Sequence, residues 1–250
     1  MNNIFYDLMG RILVESGFSL ARVVYADNVF DFSSYIYIGH KPKNDYFVYI
    51  DIPVDLLPYV NNDIQIKLAS LFKGRGAVIE NMYGDDLNIS SSFEKNSTLI
   101  ISSNYDANIG DDVSKQAITI EEDPYFFKKH VIIFSEKELE FANESINDLD
   151  SEDSYVSYLQ RVISDATVFN EFAKKESNGF SVKVNEYSFV AKLYEKLPFL
   201  SLLVESSHPG DLQKMIDSKL SYEQREQCNE ALTLDLNNLD SWFSEIIEGN

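Results

Sequence analysis

Three histidines, at 40, 130 and 208, and one cysteine, Cys228, carry all the imidazole and thiol chemistry of the chain. A zinc site draws on several closely spaced Cys or His residues, and this set is too sparse to supply one. His40 falls in an expected loop, His208 precedes Pro209 and His130 borders an expected strand, so each reads as a surface or edge residue. Catalytic triads converge in space rather than in sequence, so one stays open, but no Gly-x-Ser-x-Gly elbow supports it. Lys73-Gly74-Arg75-Gly76 is too short for a phosphate-cradling loop and lacks the terminal Lys-Ser/Thr. Asp45 and Asp51 flank a candidate strand, as a Mg²⁺-dependent nuclease would want. No Asp/Glu-x-Lys triplet follows on a later strand, because Glu136 is joined directly to Lys137. No catalytic, cofactor-binding or metal-ligating residue is therefore assigned, and no cofactor is expected. Nicking of DNA lost on Asp51→Ala would be the mark of the nuclease alternative.

The most distinctive residues are Pro124, Tyr125, Phe126, Phe127, Lys128 and Lys129. No single face of a strand or helix buries three consecutive aromatics. At least one must be exposed or pack on a neighbouring element. Aromatics exposed beside Lys128 and Lys129 would suit a partner interface, where such side chains concentrate binding energy. A tight turn filling two cores is the other reading.

The chain's 250 residues carry a formal net charge of −20, with 44% hydrophobic and 25% charged residues. That length buries a substantial core. A charge of this sign argues against autonomous DNA binding, which wants a basic footprint, and the isolated chain is expected not to shift duplex DNA at moderate salt. It suits solubility, or docking to a basic protein surface. A lone cysteine excludes an intrachain disulfide and fits a reducing compartment. Asp7, Arg11 and Glu15 break the first apolar run, so no signal peptide is expected. No apolar stretch reaches the ~20 residues of a membrane span. The expected location is the cytoplasm.

The elements that must hold these residues follow from spacing. Ile4, Leu8 and Ile12 predict an opening helix. Leu20 to Val24, Tyr35 to Ile38 and Phe47 to Ile52 predict strands, with a hairpin loop over 39–45. Ile64, Leu68 and Leu71 predict a helix ending at Gly74, followed by a loop to Ser92. Thr98 to Ile101 reads as a buried strand, 104–115 as a loop, Ala117 to Ile120 and Val131 to Phe134 as strands. Pro124 sits where a helical turn can begin. Ser135 with Glu138, and Ser221 with Gln224, form capping boxes. Val156 through Phe172 follows helical spacing behind a cap at Asp153 or Ser154, and shorter helices are expected from Phe189 to the end. The predicted fold class is α/β: an N-terminal mixed β-sheet domain with flanking helices over 1–145, then an all-helical region over 150–250, divided at the acidic stretch 143–153.

The segment from Ile120 to Val131, with the run Asn96 to Ile101 and the helix after Ser135, resembles the middle component of bacterial three-component ABC-ATPase systems of the Lamassu type. The resemblance covers roughly residues 1 to 175, and Glu122-Asp123-Pro124-Tyr125-Phe126-Phe127-Lys128-Lys129 is its specific core. His130-Val131 departs from the family's Tyr-Val. The resemblance implies a non-catalytic subunit joining or regulating an SMC-like ABC ATPase and an effector, often a nuclease, in an anti-phage hetero-oligomer. It implies that DNA is contacted at most indirectly and that the chain itself binds neither ATP nor metal. A stand-alone module binding a basic protein is a third reading.

Overall fold

A computed structural model describes residues 4–24, 30, 35–42, 45–73, 77–89, 93–105, 111–138, 140–141, 144, 154–174, 182–202, 219, 221–222 and 224–226. Residues Met1–Leu202 form one compact unit. Its centre is a six-stranded mixed sheet in the order β4-β1-β2-β3-β5-β6. The strands are β1 (Ser19–Val24), β2 (Ile36–Lys41), β3 (Asp45–Asp51), β4 (Val78–Tyr83), β5 (Ser97–Tyr105) and β6 (Lys128–Ser135). Four strands, β4 through β3, pair antiparallel. β3, β5 and β6 run parallel, with Val48 opposite Leu99 and Ile101 opposite Val131. Leu99, Ile100 and Ile101 are fully buried, as expected of a parallel strand covered on both faces.

Two layers of helix supply that cover. On the front, α1 (Ile4–Glu15), α4 (Tyr155–Ile163) and α6 (Val182–Lys196) pack on Leu20, Tyr37, Tyr49, Ile100, Ile132 and Phe134. On the back, a 3-10 turn (Val54–Tyr59), a π-helical turn (Val60–Ile64), α2 (Gln65–Lys73) and α3 (Asp111–Glu122) pack on Ile38, Val48, Ile50, Leu99, Ile101 and Val131. α5 (Ala166–Ala173) joins α6 through Val168, Val184 and Tyr187. α1 and α4 are tied by Glu15, whose Oε2 accepts from Ser154 Oγ at 2.8 Å and Val156 N–H at 2.9 Å.

The structure departs from the sequence reading in several places. β5 runs to Tyr105 and α3 begins at Asp111, both inside the expected loop 104–115, and residues 198–202, expected as helix, are not helical. β2 runs through Gly39 and His40 to Lys41, so His40 is a buried strand residue. Residues 43–44 of the expected hairpin loop lie outside the described residues. β4 falls where a loop was expected; as an exposed edge strand it lacks the apolar alternation of a half-buried one. Residues 117–120 are helical. Ile118, Thr119 and Ile120 are β-branched, but Val113, Ala117 and Ile120 recur at helical spacing and pack into the back layer. The stripe over 156–172 is broken at Asp165, whose Oδ1 caps α5 by accepting from Thr167 and Val168 N–H at 2.9 and 3.1 Å.

Both capping boxes form. Ser135 N–H donates to Glu138 Oε2 at 2.8 Å, and Ser221 N–H to Gln224 Oε1 at 2.9 Å in the second unit, Leu203–Asn250. The stretch 145–153, the expected helix over 239–247 and all but Lys219 of the one expected over 210–220 lie outside the described residues, as do Gly179, His208 and Cys228.

α1 approaches β2 closely at one point. A Cβ at Gly39 would meet Leu13 Cδ2 at 2.7 Å, whereas one at Gly10, inside α1, meets nothing nearer than 3.4 Å. Gly39→Ala should therefore cost about 1–3 kcal/mol. Gly10→Ala should stabilise by about 0.5–1 kcal/mol through helix propensity. Urea denaturation of the two variants checks the contrast.

Candidate functional site

The six residues from Pro124 to Lys129 link α3 to β6 and divide between solvent and core. Pro124, Tyr125, Phe126 and Lys128 are exposed; Phe127 and Lys129 are buried. No helical turn starts at Pro124. Phe126 instead takes φ = 60°, and Phe127 N–H donates to Tyr125 C=O at 2.9 Å. A bond from residue i+2 back to i across a positive φ defines the rare, strained form of the γ-turn. Holding a non-glycine residue there costs on the order of 1–3 kcal/mol.

What offsets the strain lies directly beneath. The Lys129 side chain is wholly buried, and its ammonium donates to Asp123 Oδ1 (2.9 Å), Gln65 Oε1 (2.9 Å), Tyr125 C=O (2.8 Å) and Phe127 C=O (3.1 Å). Both carbonyls flank Phe126, so the ammonium grips the turn from below. Asp123 Oδ1 also accepts from Tyr125 N–H at 3.1 Å and Gln65 Nε2 at 3.2 Å. Partial burial pushes the Asp123 carboxyl up, but the bonds from Lys129, Gln65 and Tyr125 outweigh it and hold it below its ordinary 3.8. Gln65 Nε2 donates in turn to Asn61 C=O at 2.7 Å, and Asn61 Nδ2 to Thr119 C=O at 3.1 Å. The π-helical turn, α2, α3 and β6 thus converge on one buried cation.

This arrangement fixes what the loop presents. Tyr125 is 67% and Phe126 40% exposed. Lys73, at the end of α2, holds its ammonium 5.8 Å from the centre of the Phe126 ring. Lys128 stands beside them in the open. Phe127 points the other way, into the back core. Phe127 and Lys129 therefore anchor the loop, while Tyr125, Phe126 and Lys128 are available for contact. Sequence reasoning missed Gln65, Asn61 and Asp123 as its supports. Gln65 opens α2 in the row of Leu68, Ala69 and Phe72, and a polar residue at that apolar spacing is the one signal that could have found it.

The remaining candidates are dispersed. Asp45 and Asp51 are the first and last residues of β3, about 20 Å apart at strand rise, so they cannot share a metal. Asp51 instead accepts from Ser102 Oγ at 2.5 Å, and that hydroxyl lies 2.7 Å from Tyr49 Oη. Among the described residues, no three His, Cys, Asp or Glu side chains are placed to hold a metal ion. His40 Nε2 lies 3.1 Å from Asp85 C=O. Burial pushes His130 down, and Lys128 and Lys196 add to this against Glu121. A cavity of about 300 Å³ between α3, α6 and β6 is lined by Lys192 and Lys196, whose charges Glu138 and Glu121 already match.

The family model for the ABC-three component (ABC-3C) system Middle Component 1 matches residues 57–159, and the chain fits a middle component of a three-component ABC-ATPase system. No curated protein and no solved structure matches the chain. The matched stretch is shorter than the 1 to 175 expected, leaving out α1 and β1–β3, but it contains every member of the Lys129 network.

Removing Lys129 strips a carboxylate, an amide and two carbonyls of their common donor. Lys129→Met should cost about 3–5 kcal/mol, as for breaking a buried ion pair, measured by chemical denaturation. The lowered Asp123 carboxyl adds stability that is complete above its ordinary 3.8 and lost as the pH falls through its lower folded value. The variant should therefore lose less stability than the parent across that acid window.

Proposed function

We propose that the chain is a non-catalytic accessory subunit that links or regulates an SMC-like ABC ATPase and an effector, often a nuclease, in a bacterial anti-phage and anti-plasmid defence complex. The match to a middle component supports membership of a multi-component ABC system. The strained Tyr125–Phe126 turn carries the rest of the reading. Costly backbone geometry persists where the surroundings over-determine it, and such outliers cluster at functional positions. Here a buried ammonium secures a turn whose outward product is two exposed aromatic rings between Lys73 and Lys128. Aromatic side chains in that setting anchor protein interfaces.

The assembly forms in the cytoplasm, and the net charge of −20 leaves DNA to the partners. No helix among the described residues is long and apolar enough to cross a membrane.

Phe126→Gly separates this role from a structural one. Glycine occupies a positive φ without strain, so the variant should be at least as stable as the parent. With Tyr125→Ala added, affinity for the ATPase or the effector of its own system should fall by about 2 kcal/mol or more, roughly 30-fold in Kd. Unchanged association with both partners in a folded double variant would refute the docking role.

A further inference from the structure

The two edges of the sheet are protected very differently. Along the outer side of β6, Val131 N–H donates to Glu121 Oε1 at 2.8 Å and Ile133 C=O accepts from Lys192 Nζ at 3.0 Å. Ser135 N–H donates to Glu138 Oε2 at 2.8 Å. Side chains from α3, α6 and the capping box thus plug the groups that an added strand would need.

β4 forms the other edge and, among the described residues, pairs only with β1. Among the described residues no side chain plugs its main chain. The chain leaves β4 through Gly84, at φ = 77°, and turns away from that edge. Asp85 C=O lies against His40 of β2, and Asn88 C=O accepts from Tyr46 of β3. β4 is largely exposed, with Val78 64%, Met82 47% and Tyr83 58% accessible, while Ile79 packs against the back core and the Asn81 side chain bonds Asp86 and Leu87 N–H. An open edge strand bearing apolar side chains is a template for another strand. Its charged surroundings are acidic: Glu80, Asp85 and Asp86 are exposed, and Arg22, paired to Glu80 at 2.5 Å, is the facing cation.

We propose that β4 accepts an extended segment of a partner subunit carrying both apolar and basic side chains, added as a seventh strand. The six residues of β4 offer about 20 Å of edge. A second copy of the chain is disfavoured as occupant, because it would bring the same carboxylates and a further −20 charge to the edge. This surface is separate from the Tyr125–Phe126 turn and stands without it.

The test uses the full chain and an eight-residue peptide alternating valine and lysine. Two controls are the valine–glutamate peptide and the valine–lysine peptide with every backbone nitrogen methylated, which keeps its charge but cannot donate. Saturating valine–lysine peptide should slow amide exchange in residues 78–83 tenfold or more, and neither control should. Val78→Lys with Met82→Lys should abolish the slowing while leaving the melting temperature unchanged. Equal binding of the methylated peptide would mean charge attraction only and overturn the proposal. So would unaltered exchange over 78–83, or concentration-dependent self-association of the chain through this edge.

Discussion

An ammonium taken out of water must be met by oxygen. Desolvating it alone costs many kcal/mol, and Lys129 answers with one carboxylate, one amide and two main-chain carbonyls. The acceptors come from two stretches of chain: Gln65 opens α2, while Asp123, Tyr125 and Phe127 all lie in the loop that joins α3 to β6. Satisfying the cation therefore sets where the back-layer helices end relative to the sheet. It also forces the backbone between Tyr125 and Phe127 to fold sharply enough to bring both carbonyls inward. Phe126 at positive φ is the geometric consequence.

The division of labour within this short segment explains a sequence that no simple periodicity accommodates. Three adjacent aromatics alternate poorly between faces, and the γ-turn resolves the conflict by reversing the chain at the middle one. Phe127 enters the back core, while Tyr125 and Phe126 stay outside. The sequence showed that one aromatic had to be out of register, but not which. Lys129 was harder still. Beside Lys128 it reads as one of a surface pair, and its burial depends on Gln65, 64 residues away. Long-range acceptors leave no local trace.

Much of the fold was legible where local chemistry and burial agree. α1, β1, β3, β5 and both capping boxes follow from spacing, β-branched runs and Ser-x-x-Glu/Gln pairs. Misreadings fell where the two conflict. Residues 117–120 carry strand-like Ile and Thr, yet Val113 and Ala117 place them on a helix over the sheet. β4 is nearly uncovered, so the alternation that marks a strand was absent. The break at Asp165 had a legible cap but was overruled by an unbroken apolar stripe.

The family match spans the segment built around Lys129, and the central claim is that this segment exists to present Tyr125 and Phe126 to a partner. Placing a photo-reactive benzoylphenylalanine at Tyr125 in the reconstituted three-component assembly tests it directly, with Ile118, an exposed residue of α3, as the comparison site. Irradiation should join position 125 to the ATPase or the effector far more efficiently than position 118. An intact assembly giving no cross-link from position 125 would contradict the account.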